Sequence, residues 1–210
     1  MSSQAGARRR FSSRPRLFLD GLILPGQTAR LQATEGPTCS DQQSRPRAFP
    51  MTAASTNHTI RQATNADIPA IRAVLYAVRA EYGVLYELGA DDPELDDLEA
   101  SFFRGGGHFE VVEDAARRVV GCAGLYPLDE RRVELCKMYI ERSARGHGLG
   151  KRLLENLLAA ARRNGFQEVW LETNSTLTEA ITLYTRHGFV PVEPDHLLPR
   201  CDQAFLLRLD

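Results

Sequence analysis

At 210 residues, with 43% hydrophobic and 25% charged residues, the chain has the proportions of a soluble globular protein of one domain plus an appendage, and excludes a fibrous or membrane-spanning design. The net charge of -1 is unevenly placed: residues 1–50 hold eight Arg and no Lys against Asp20, Glu35 and Asp41, which leaves the remainder at -6 with no electrostatic reason to seek nucleic acid or anionic lipid. Cys39, Cys122, Cys136 and Cys201 form no C-x-x-C pair and no cluster with metal-ligand spacing, so no metal and a reducing, cytoplasmic setting are expected.

Residues 1–55 are rich in Ser, Arg, Pro and Gln and carry no sustained period of 2 or 3.6, which predicts a disordered basic extension. Its apolar stretch at 17–24 is short and broken by Asp20, so it makes neither a signal-peptide core nor a membrane span. The Arg- and Ser-rich start is similar to an organellar presequence. The simpler expectation is that Met51 is the true start and the upstream residues are dispensable.

A domain is expected over 56–210. Residues 58–63 alternate and predict a strand. A helix follows, with Asp67 as N-cap, Pro69 in the first turn, and Ile68, Ile71, Leu75, Val78 and Tyr82 forming one apolar stripe. A second helical segment around 94–103 runs into Gly105, Gly106 and Gly107, read as a flexible turn. The runs 108–113 and 119–125, separated by polar 114–118, predict a hairpin, and 133–140 a further strand. Leu153, Leu154, Leu157, Leu158 and Ala161 place a helix over 149–163, followed by a strand at 167–173. A last helix at 177–187 stops at Gly188, and 189–192 and 204–209 supply the final strands. This order predicts an α/β fold, a mixed sheet of about seven strands flanked by about four helices. The unit from 133 to 173 should be a parallel, right-handed crossover.

Between the strand at 133–140 and the helix at 149–163 lies Arg145-Gly146-His147-Gly148-Leu149-Gly150. A glycine-rich turn feeding a helix N-terminus is an anion site, because the first backbone N–H groups are unpaired and the helix dipole is positive there. The glycines let backbone approach a phosphate, and Arg145 can add a cation. A nucleotide-hydrolysing P-loop would need Gly at 145 and Ser or Thr at 152, where the chain has Arg twice. A dinucleotide fingerprint would need its third glycine one residue later and an earlier place in the fold.

Arg145-x-x-Gly148-x-Gly150 resembles the R/Q-x-x-G-x-G/A signature of the GNAT superfamily of N-acetyltransferases, and Ala180-Ile-Thr-Leu-Tyr184-Thr-Arg-His-Gly-Phe189 resembles its A-x-x-L-Y-x-x-x-G-F segment. The resemblance covers about 57–210. It implies transfer of an acetyl group from acetyl-coenzyme A to a primary amine of a small molecule, amino acid or protein, with a non-catalytic acyl-coenzyme A-binding module as the alternative. It leaves room for a homodimer.

By the same resemblance, the backbone of Met138, Tyr139 and Ile140 pairs with the pantetheine arm, and Arg145, Gly146, His147, Gly148, Leu149, Gly150 and Lys151 cradle the diphosphate. Tyr184 falls where the family's Tyr serves the departing sulfur; otherwise it is a core aromatic. Glu134 is the first candidate base, with Glu172 the alternate and a salt-bridged Glu beside Arg131 and Arg132 the plainer option. One departure stands out: many members carry Asn where this chain has Leu177, and Asn174 is the expected substitute contact. The acids Glu87, Asp91, Asp92, Glu94, Asp96, Asp97 and Glu99 fall where the acceptor cleft forms in this family, suiting a cationic amine or a solvated helix start. His147 and His187 read as solvent-facing loop and helix-end residues.

Overall fold

The computed structural model describes residues 57–83 and 92–210; the expected extension over 1–55, the start at Met51, Glu87 and Asp91 lie outside the described residues. Seven strands form one sheet: β1 (Thr59–Gln62), β2 (His108–Glu113), β3 (Val119–Pro127), β4 (Arg132–Ile140), β5 (Glu168–Thr173), β6 (Val190–Val192) and β7 (Gln203–Arg208). Their order across the sheet is β1-β2-β3-β4-β5-β7-β6, and every neighbouring pair is antiparallel except β4 with β5. Among the described residues three α-helices, α1 (Ile68–Glu81), α2 (Leu149–Arg163) and α3 (Thr178–Arg186), flank the sheet.

Successive strand residues face opposite sides, so a sheet covered on both faces needs apolar side chains at consecutive positions. Val111 and Val112 divide in this way. Val111 joins the core under α1, with Ile71, Val74, Leu75, Val78, Phe102 and Phe109. Val112 joins the core under α2, with Leu153, Leu154, Leu157 and Leu158. The apolar stripe of α2 is fully buried, which explains why the sequence period marks its boundaries so sharply.

Three details differ from the sequence reading. Asp67 occupies the position before α1 but makes no side-chain cap to it; its carboxylate accepts the Thr64 N–H and a fork from Arg61, which also reaches Glu113. The segment around 94–103 is a 3-10 turn at Pro93–Leu95 and a π turn at Glu99–Phe103, with Arg104 N–H bonded to Glu99 C=O. It keeps a helical burial period through Leu95, Leu98 and Phe102. The Gly105-Gly106-Gly107 turn is closely packed: a Cβ on Gly107 would fall 2.2 Å from the Leu125 carbonyl oxygen and 2.7 Å from that of Phe102. Absence of a side chain there serves close approach of backbones. No helix among the described residues is long and apolar enough to cross a membrane.

Candidate active site

β4 and β5 pair over three positions, Arg132 with Glu168, Val133 with Val169 and Glu134 with Trp170. Beyond them β5 stays with β7 through Thr173 opposite Gln203, while β4 stays with β3 through Ile140 opposite Gly121. The two parallel strands therefore part after Glu134, and the backbone of Met138, Tyr139 and Ile140 lies along the opening.

The parting has a local cause. Cys122 pairs with Tyr139 and Gly124 with Cys136, so β4 carries one residue more than β3 over this stretch. That is a β-bulge, which bends and twists its strand. Lys137 at the bulge has φ +54°, a left-handed conformation that costs a non-glycine residue about 1–2 kcal/mol. Its side chain supplies the compensation: the buried ammonium donates to Asp92 and, at 2.9 Å, to Glu94. Asp92 is in turn gripped by Arg79 of α1 at 2.7 and 3.0 Å. Burial opposes charge on Asp92, but the Arg79 hydrogen bonds and the Lys137 charge outweigh it and hold the carboxyl well below the usual carboxylate range.

This cluster revises the expected role of the acidic segment. Asp92 and Glu94 are neutralised from within, Asp96 pairs with Arg72 at 2.7 Å, and Asp97 accepts from Asn65 and from the Ala100 N–H. They are tied into the fold. Arg79 and Lys137 were missed because a cation inside an apolar run gives no sequence signal of the acid it will meet.

The opening widens into a cleft of about 100 Å³ whose walls bring together Glu134, Met138, Tyr139, Glu172, Asn174 and Tyr184. Glu134 is 7% exposed, and strand alternation turns it toward the α1 side, since Val133 and Leu135 enter the core under α2. Arg132 and Arg131, its suggested partners, bond Glu168 and Gln167. Tyr184 reaches the cleft from α3, its hydroxyl 3.8 Å from the Met138 sulfur and its ring against Phe189. Burial, with Tyr139 and Cys136 adding to it, pushes its phenol well above the ordinary value. It keeps its proton.

Glu172 and Asn174 are engaged elsewhere. Glu172 accepts the Leu198 N–H at 2.9 Å, and Asn174 donates to the Arg200 carbonyl at 3.2 Å while its oxygen accepts from the Thr176 N–H and hydroxyl. Both pin the β6–β7 loop, whose Leu198, Arg200 and Cys201 line the cleft. The sequence reading did not include this loop in the site. Leu177 ends in the cleft wall at the start of α3.

The glycine loop meets this cleft at the start of α2. Gly146 and Gly148 have φ +83° and +70° and are exposed with His147, whereas Leu149 is buried and roots the turn. Among the described residues no side chain caps the helix, and its first N–H groups have no intrahelical partners. Gly150 connects loop to cleft: a Cβ there would touch Leu183, Ile140 and Met138 at 3.6–3.7 Å, ordinary contact that Ala can meet. Arg145 is occupied differently from expectation. Its Nε donates to the Ile140 carbonyl, its terminal nitrogen pairs with Glu81 at 2.8 Å, and its head stacks near Tyr82. Lys151 is exposed beside Glu155, His147 lies 5.4 Å from the His58 ring, and His187 bonds the Leu183 carbonyl within its own helix.

The profile of the acetyltransferase (GNAT) family matches residues 75–189. An uncharacterized N-acetyltransferase of Escherichia coli (strain K12), YjgM, is 37% identical over 145 residues, covering 67% of this chain and 86% of that one. A GNAT-family acetyltransferase structure from Staphylococcus aureus Mu50 superposes with a TM-score of 0.68 at 19% identity, over 73% of this chain and all of that one. The structure of yncA from Salmonella typhimurium with its cofactor acetyl-CoA superposes with a TM-score of 0.59 at 25% identity, over 74% of this chain and 95% of that one.

Proposed function

Because the chain belongs to the acetyltransferase (GNAT) family, we propose that it moves an acetyl group from acetyl-coenzyme A to a primary amine by direct transfer. The observation that carries this reading is the parting of β4 and β5 beside an uncapped, glycine-rich helix start. Those features fit a long, thin ligand with a diphosphate at one end: free N–H groups for the anion, and an open strand edge at Met138, Tyr139 and Ile140 for an amide-bearing arm. The neighbour solved with acetyl-CoA supports the same assignment. The cradle consists of the backbone of 146–151; Arg145 contributes by fixing the end of β4.

Acetyl-coenzyme A supplies an activated acetyl group, and the chain supplies position and proton control. A primary amine has a pKa of about 10.4 and is protonated at neutral pH, so Glu134, directly or through water, takes the proton that blocks its lone pair. Tyr184, protonated in its buried setting, offers its hydrogen to the sulfur that departs. The two act from different elements on one cleft, Glu134 from β4 and Tyr184 from α3. Titration calorimetry with acetyl-coenzyme A, paired with free-thiol release across a panel of amines, tests the reading. Binding together with acceptor-dependent release is expected. Binding without release would make the chain a coenzyme-binding module, and absence of binding would overturn both.

A further inference from the structure

Among the described residues three cations line the cleft, Arg79, Lys137 and Arg200. Two are offset by nearby acids: Arg79 holds Asp92 with both terminal nitrogens, and Lys137 is held by Asp92 and Glu94. Arg200 differs. It is half-buried, and its guanidinium makes no hydrogen bond or ion pair with any described residue. The neighbouring Asp202 turns its carboxylate to the Ser175 N–H and hydroxyl at 2.7 and 2.6 Å and makes no ion pair with Arg200.

The backbone that presents Arg200 is fixed on several sides. Its carbonyl accepts from Asn174, the Leu198 N–H donates to Glu172, and the Asp202 N–H donates to the Thr173 carbonyl at 3.1 Å. Burial raises the Cys201 thiol to about 11, with Arg200 opposing and Glu172 and Glu134 adding to the rise. Arg200, without a partner among the described residues, and the candidate base Glu134 line one cleft of about 100 Å³. Because both residues line that cleft, an acceptor whose amine meets Glu134 would present its α-substituent to the wall that carries Arg200. A carboxylate there gains a charge-assisted, two-pronged partner; a plain amine leaves the guanidinium unpaired.

We propose that Arg200 is a specificity-determining residue that binds the carboxylate of an α-amino-acid acceptor whose amine meets Glu134. This rests on the acetyl-transfer reading and narrows its acceptor. The test measures thiol release from acetyl-coenzyme A with α-amino acids, their carboxamides and the matching decarboxylated amines. For the parent protein, kcat/KM for the free acids should exceed that for the carboxamides by roughly tenfold to a hundredfold, the range of a hydrogen bond to a charged group. Arg200→Gln should erase that gap through KM, and Arg200→Glu should invert it in favour of the decarboxylated amines. Equal rates for acids and carboxamides in the parent protein, a comparison that needs no variant, would overturn the assignment. So would a gap that survives Arg200→Gln. Release with no amine at all, while acetyl-coenzyme A binds, would instead overturn the transfer reading and this assignment with it.

Discussion

A phenol buried like that of Tyr184 pays the desolvation penalty in its charged form, so its proton is held to higher pH than in water. The sign matters for its role: a raised pKa keeps the acid form present throughout the neutral range and loses it only when pH climbs past the shifted value. Tyr184 should therefore impose no alkaline fall in kcat below about pH 10, the ordinary phenol pKa. Tyr184→Phe should lower kcat by roughly a hundredfold, the lower range of general acid catalysis, with little change in the dissociation constant for acetyl-coenzyme A. Unchanged turnover would remove the acid role. The glycines of the loop separate in the same manner. Gly148 sits at φ +70° with open space around it, so Gly148→Ala strains the backbone by about 1 kcal/mol or more and should weaken coenzyme binding in a titration. Gly150→Ala meets ordinary contacts and should bind as the parent does.

Strand β4 does two jobs along one length, pairing with β5 up to Glu134 and turning away from it at Lys137. The turn depends on charges supplied from outside the strand, since Asp92 and Glu94 hold the ammonium and Arg79 holds Asp92. Lys137→Met leaves the buried Asp92 and the part-buried Glu94 short of a cation and should cost about 3–5 kcal/mol, read as a lowered denaturant midpoint. Asp92 sets the pH dependence of the cluster. Its folded pKa lies below its unfolded value, so its contribution is fully present above the unfolded pKa of about 4 and is lost as pH falls through the folded one. Stability of the parent protein should thus be insensitive to this group between about pH 5 and 8, and Asp92→Asn should remove a component of the acid-side loss below about pH 4. An unfolding series in urea at stepped pH reads both effects.

At the scale of the molecule, the sequence made visible whatever rests on repetition along the chain. Helix α2 was legible to its end residues because Leu153, Leu154, Leu157 and Leu158 all enter one core, and the loop before it because its glycines meet a backbone requirement. What stayed hidden rests on meetings between distant residues: Lys137 finds Asp92 across 45 positions, and Asn174 finds the Arg200 carbonyl across 26. A family pattern suggests the coenzyme as the partner of Asn174; in the structure one of its two amide hydrogens holds the Arg200 carbonyl of the β6–β7 loop and its oxygen holds its own turn at Thr176. The two roles lead to opposite measurements. If Asn174 serves the loop, Asn174→Ala frees the wall that carries Leu198, Arg200 and Cys201, and the acceptor KM should rise about fivefold, the equivalent of one ordinary hydrogen bond. The dissociation constant for acetyl-coenzyme A, assigned in the proposed function to the α2 start and the β4 edge, should move by less than about twofold, well under one such bond. A coenzyme affinity that falls while the acceptor KM holds would return Asn174 to the pantetheine arm and leave the loop to Glu172 and the Ser175–Asp202 pair.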